Sequence, residues 1–194
     1  MTVPRKSKYT QAKPMTPDLE FKRAKQVAAY RQACRHSVEA FVDLCVKIED
    51  PDAIAKNPEA PDIVIPFELW PEQREILQNF EDERLLIVLK ARQLGLTWLT
   101  LAYCLWHMIF KPGFTVVGLS RGEDEAKELI RRLKFILENA PKWLIQPAKD
   151  KHPDWTGPTW DDQVLNIKIL HPGGSTARFL GEAASKDSGR SFTA

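Results

Sequence analysis

Between Leu85 and Trp98 the chain reads Leu85-Leu86-Ile87-Val88-Leu89-Lys90-Ala91-Arg92-Gln93-Leu94-Gly95-Leu96-Thr97-Trp98, and no other stretch restricts the fold as strongly. Five successive apolar residues are too few for an ordinary helix. With charge on both sides they read as a strand covered on both faces, as in a parallel sheet. A loop with one glycine follows, and from Trp98 to Phe110 the chain is apolar with helical character. Strand, loop and helix form the frame that holds phosphate, because loop amides converge there and the helix N-terminus adds partial positive charge. The common phosphate-loop pattern is G-x-x-x-x-G-K-[ST]. Here Lys90 stands at the first glycine position and Leu96 at the lysine position, while Gly95 and Thr97 keep their places. Gly95 permits close backbone approach, and the Thr97 hydroxyl can reach Mg²⁺. The loop's lysine, Lys90, sits at the entrance instead of the exit. On the pattern alone, a plain strand-turn-helix with a stray lysine fits equally well.

The segment Lys90-Ala91-Arg92-Gln93-Leu94-Gly95-Leu96-Thr97 resembles the phosphate loop of large terminase subunits, the motors that package DNA into tailed-phage and herpesvirus heads. That family often places Arg-Gln before the glycine, and some members carry the lysine at the front of the loop. The resemblance extends from about Pro66 to Ala194. It implies a phosphate-loop NTPase fold of the additional-strand, helicase and terminase type, with ATP and Mg²⁺ as ligands. Residues 90–97 would contact the phosphates, with Lys90, Arg92 and Thr97 catalytic and Thr97 on the metal.

Upstream, Ile63-Val64-Ile65-Pro66-Phe67-Glu68-Leu69-Trp70-Pro71-Glu72-Gln73 leads apolar and aromatic residues into Pro71, a good first helical residue. A Gln carboxamide both donates and accepts, which suits the adenine edge that presents the N6 donor and the N7 acceptor. In terminases and related helicases a glutamine shortly before the phosphate loop reads adenine. Gln73 matches that position, with Trp70 and Pro71 beside it. Without the resemblance, Gln73 reads as a helix-surface residue beside a core aromatic. Near the end, Gly189-Arg190-Ser191 resembles the segment that precedes the family's acidic Mg²⁺-site strand. In some members that arginine reaches the neighbouring subunit's ATP, which makes Arg190 the trans-acting candidate.

The remaining chain fits an α/β frame. Residues 1–15 read as a polar, basic tail carrying Arg5, Lys6, Lys8 and Lys13; a basic arm touching DNA is the functional alternative. Residues 16–50 read as a helical segment of one long or two shorter helices ending near Glu49, and residues 51–62, with three prolines, as a linker. By the resemblance, residues 63–194 would form the front part of the ATPase domain. Within it, Phe114–Leu119 reads as a second buried strand. Ser120 and Glu123 read as a capping box opening a helix whose apolar face holds Ala126, Leu129, Ile130, Leu133 and Leu137. Arg131, Arg132 and Lys134 read as its solvated face. Trp143–Asp162 reads as an irregular excursion, and Leu165–Phe179 as a hairpin turning at His171–Gly174. Strand, helix, strand and helix with short turns imply a doubly wound, mostly parallel sheet.

With 194 residues, 43% hydrophobic and 28% charged, the chain can bury a core of its own. A net charge of +2 gives no global field for nucleic acid, so any DNA contact needs a local patch. The cysteines Cys34, Cys45 and Cys104 include no C-x-x-C pair, which favours a reducing, intracellular setting, and Cys34, His36 and Cys45 fit no zinc pattern. No signal peptide is visible, and the apolar run 98–110 is too short for a bilayer. By the resemblance, the partners are double-stranded DNA, a portal protein, a small terminase subunit and a homo-oligomeric ring, a pentamer, on the procapsid. The location is the cytoplasm of the phage-infected host.

A phosphate-loop ATPase also needs an apolar strand ending in acidic residues. None of the strands read here ends that way, and Asp161-Asp162 precedes a strand, at the wrong end. The expectation is therefore the front part of a longer motor that lies before its acidic motif and nuclease half, and that binds ATP but turns it over negligibly. Two other readings stand beside it: a non-catalytic nucleotide- or DNA-binding module, and a helicase-like ATPase.

Overall fold

The computed structural model describes residues 17–50, 52, 63–91 and 94–184. The N-terminal segment forms two helices, α1 (Pro17–His36) and α2 (Val38–Cys45). They part at Ser37, whose Oγ accepts from the Ala40 amide at 3.1 Å and caps α2. Helix does not continue to Glu49 as expected. Lys47–Glu49 is strand β1, paired antiparallel with β2 (Val64–Pro66). The polar-apolar-polar alternation of Lys47-Ile48-Glu49 has the period of a strand, and Ile48 packs on the core. Apart from Asp52, the expected linker lies outside the described residues.

Helix α3 (Pro71–Asp82) opens with proline at its first position. Helix α4 (Leu96–Phe110) is the hub, burying Leu96, Trp98, Leu99, Leu101, Ala102, Leu105 and Met108 among others. It carries apolar side chains around most of its circumference because α2, α3, α5 and the sheet all pack against it. Helix α5 (Glu123–Asn139) follows strand β3 (Thr115–Ser120). The expected capping box is not formed. Ser120 still belongs to β3 and donates its hydroxyl to the Gly122 carbonyl at 2.9 Å, while Gly122 occupies the cap position of α5 without a side-chain cap.

Strands β4 (Gln146–Pro147), β5 (Thr159–Gln163), β6 (Asn166–Leu170) and β7 (Thr176–Ala183) complete a five-stranded sheet in the order β3-β7-β6-β5-β4. The protein is thus α/β with a mixed sheet. β3 runs parallel to β7 and β4 to β5, while β5-β6 and β6-β7 are antiparallel, so the sheet is less parallel than expected. The hairpin β6-β7 lies where the alternation of Leu165, Ile167 and Ile169 with Ala177 and Phe179 puts it, and Ile167, Ile169, Ala177 and Phe179 are buried. Asp161 and Asp162 sit inside β5 and do not merely precede a strand. Gly181 lets α5 lie close on β7, since a Cβ there would meet the Ala126 carbonyl oxygen at 3.2 Å and Ile130 at 3.3 Å.

The expected solvated face of α5 is also different. Arg131 pairs with Glu49 at 2.8 Å and Lys134 with Asp162 at 2.7 Å, tying the helix to β1 and β5. Arg132 lies over the Trp98 ring at 5.2 Å and pairs with Glu128. The two arginines hold the Glu128 carboxyl down at about 2.

The largest departure concerns Leu85–Leu89. It is not a strand and belongs to neither sheet. Leu85, Ile87 and Leu89 are 84%, 90% and 95% exposed. A strand is held by neighbours that take its N–H and C=O groups, and the described residues supply none here. Apolar composition favours burial, at roughly 1.5–3 kcal/mol per large side chain, but it does not create the ladder that burial requires.

Candidate functional site

The best-defined part of the expected site is a junction of three elements around Gly95. The chain enters α4 with Gly95 as N-cap in the left-handed conformation, φ 67°. Glycine is required twice over. An L side chain is strained at this φ, and a Cβ would stand 2.9 Å from Gln73 Nε2 and 3.6 Å from the Phe67 ring. Gln73 is only 4% exposed. Its Oε1 accepts from the Trp70 amide at 3.0 Å and its Nε2 donates to the Leu94 carbonyl at 3.0 Å. The carboxamide therefore clamps the start of α3 to the last turn of the loop. Gln73 is neither a free surface residue nor a plain core neighbour. One Nε2 hydrogen and one Oε1 lone pair remain uncommitted, one donor and one acceptor.

Phe67 was not legible as a site residue. It is buried, with its amide donating to Val46 at 3.1 Å, and its ring lines the floor under Gly95. Its aromatic character just before Trp70 was the available signal, but nothing in the sequence tied it to a glycine 28 positions later. Trp70 stands at the rim, 54% exposed, with Pro71 exposed beside it. Arg74, one residue beyond Gln73, pairs with Glu39 and with Asp43 of α2 and holds α3 in place.

At the mouth of α4 the amides of Leu96, Thr97 and Trp98 have no carbonyl in their own helix to bond. The cap glycine offers no side chain, and the first turn holds no acidic residue. Within the helix's own cap and first turn, nothing compensates the partial positive charge of the helix end. Thr97 is half-buried, and its hydroxyl has no hydrogen bond to another described residue. It is free to serve as a ligand for a hard cation such as Mg²⁺. Thr100, one turn on, donates back to the Leu96 carbonyl at 2.8 Å.

Lys90 is not gathered into this junction. It is exposed, and its Nζ donates to the adjacent Ala91 carbonyl at 3.2 Å. Ala91 and Leu94 are exposed as well, and Leu96 is buried. Arg92, Gln93 and Arg190 lie outside the described residues. The junction thus unites Phe67, Trp70, Gln73, Leu94, Gly95 and the N-terminus of α4, and it leaves Lys90 apart. Among the described residues no cluster of three His, Cys, Asp or Glu could hold a metal, and no helix is long and apolar enough to cross a membrane. No protein-family model matches the chain, and no curated protein matches it.

Proposed function

We propose that the chain is the ATP-binding front part of a DNA-packaging motor of the large-terminase type, with a phosphate-loop NTPase core. The observation that carries this reading is the braced N-terminus of α4: a left-handed glycine, a first turn without an acidic residue, a threonine hydroxyl two residues on with no partner among the described residues, and a glutamine clamped to the loop. Phosphate is the ligand for the helix end. Adenine is the ligand for the donor and acceptor left on Gln73, with Trp70 offering a ring at the rim. Mg²⁺, held through Thr97, would neutralise charge on the phosphates. Lys90 has a four-carbon stem that can turn its ammonium back toward the phosphates. Arg92 and Gln93 complete the loop, and Arg190 serves the neighbouring subunit of a homo-oligomeric ring.

Double-stranded DNA, a portal protein and a small terminase subunit are the partners, in the cytoplasm of an infected host. The solvent-facing Lys90 favours a second reading, a nucleotide-binding module without turnover.

Base selectivity tests the assignment. The protein should bind ATP more tightly than GTP. Gln73→Glu removes the amide donor, so it should erase that preference as well as weaken both nucleotides. Equal weakening with the preference intact would confine Gln73 to bracing the loop.

A further inference from the structure

The chain's modest net charge conceals a strong asymmetry. Residues 1–36 hold nine Lys and Arg against two Asp and Glu, a net of +7, and the remaining residues hold 19 against 24, a net of −5, giving the overall +2. The described part of this basic region is α1, and it differs in kind from the other charged helix. On α5 each of the four cations, Lys127, Arg131, Arg132 and Lys134, has a carboxylate partner. On α1, Arg23, Lys25 and Arg35 are exposed and have no ion pair among the described residues.

The way α1 is held leaves these charges available. Among the described residues, the core contacts of α1 come from its second half. Cys34 is buried and its carbonyl accepts from the Trp106 indole at 2.6 Å, Tyr30 packs on Trp143, and Arg31 lies over Trp155 at 5.0 Å. From Glu20 to Gln26 every residue is exposed, whichever way it faces. A turn and more of helix therefore stands out from the body with solvent all round, including Phe21 at 70% exposure. Such a helix gains nothing from core packing, and isolated short helices are marginal in water. Ordering it as a cationic rod is useful to a polyanion.

We infer that α1 is a sequence-independent docking arm for the phosphate backbone of duplex DNA. Its 20 residues span roughly 30 Å, comparable to one turn of the B-form duplex. The wide major groove of B-DNA admits a helix, whereas the narrow major groove of duplex RNA does not. A membrane surface is the poorer match. Interfacial helices segregate an apolar face from a basic one, and the apolar residues Phe21, Ala24, Val27, Ala28 and Ala29 of α1 are spread round its axis among the basic ones. The inference rests on charge and burial, not on the nucleotide site, and it stands or fails in the absence of nucleotide.

The experiment is fluorescence anisotropy of a labelled duplex titrated with the whole chain at several salt concentrations. Each phosphate contact contributes about 0.9 to the slope of log K against log salt. Arg23→Gln/Lys25→Gln should therefore lower that slope by about 1.8, two contacts' worth. Both positions are exposed and Gln is a good helix former, so folding, checked by circular dichroism, should be retained. Arg121→Gln/Lys127→Gln removes the same charge from cations already paired with Glu125 and Glu123, and should leave the slope unchanged. The inference is overturned by an unchanged slope in the α1 variant, by equal losses in both variants, or by no binding of DNA at low salt. Duplex RNA bound as tightly as DNA, or phosphatidylserine-containing vesicles bound more tightly, would overturn it too.

Discussion

The contact between Gly95 and Gln73 makes a quantitative prediction about coupling. Gly95→Ala has two separable effects. The left-handed φ of 67° costs an L residue about 1–2 kcal/mol wherever it occurs. The new methyl would also stand 2.9 Å from Gln73 Nε2, inside any ordinary contact, and would push the carboxamide off the Trp70 amide and the Leu94 carbonyl. Gln73→Ala alone removes those two hydrogen bonds at a net of roughly 0.5–1.5 kcal/mol each. Once the carboxamide is gone, Gly95→Ala retains only its backbone strain. The two substitutions should therefore be less than additive, with a coupling of about 1–2 kcal/mol in a double-mutant cycle. Urea unfolding of the four proteins, fitted to a two-state transition with a common m-value, measures it. Additivity within about 0.3 kcal/mol would refute the clamp as described.

Other consequences follow from single residues. His107 is buried against Tyr103, Trp106 and Phe114, and burial, aided by Lys111, pushes its pKa down from 6.5 to about 4. The unfolded chain then takes up a proton that the fold refuses, so stability falls as pH drops below 6.5, by about 3 kcal/mol in total by pH 4. His107→Phe should remove that slope between pH 6.5 and 4.5, and unfolding midpoints against pH check it. Ile87→Ser, at a position with its side chain in water, should change stability by less than about 0.5 kcal/mol, whereas a buried strand position would lose several times more. In rings assembled from the full-length motor that the proposed function implies, Arg190→Ala and Thr97→Ala subunits should each lack ATPase activity and recover it when mixed. Mixtures that stay inactive despite co-assembly would place Arg190 within its own subunit.

Local pattern reveals an element when the element makes its own hydrogen bonds or pairs with its sequence neighbour. Helix α4 and the hairpin β6-β7 are of this kind, and the apolar spacings at 98–109 and 165–179 locate both. Leu85–Leu89 is the opposite case. Its apolar run records a demand for burial, but whether a strand forms depends on partners distant in sequence, and composition cannot name them. Strand β1 was hidden for a related reason: Lys47-Ile48-Glu49 is three residues long and its partner β2 lies beyond a proline-rich stretch. At the site, Gln73 and Gly95 could each be singled out by residue type and place. That one braces the other, with Phe67 beneath, depends on how α3 is set against α4, partly through Arg74 and the acidic pair Glu39 and Asp43 on α2. Lys90 shows the converse limit, because a residue in the right place in a motif need not have its side chain turned into the site.

The central claim is that the N-terminus of α4 receives the phosphates of ATP. Its most direct test is titration of the ¹⁵N-labelled chain with ATP and Mg²⁺, following backbone amides by NMR. The account predicts saturable, single-site shifts centred on Gly95, Leu96, Thr97 and Trp98, with a smaller response at the Gln73 side chain, and their loss in Gly95→Ala. Absence of any shift at these amides up to millimolar ATP, a concentration corresponding to about −4 kcal/mol of binding, or saturable shifts confined to another surface, would contradict it.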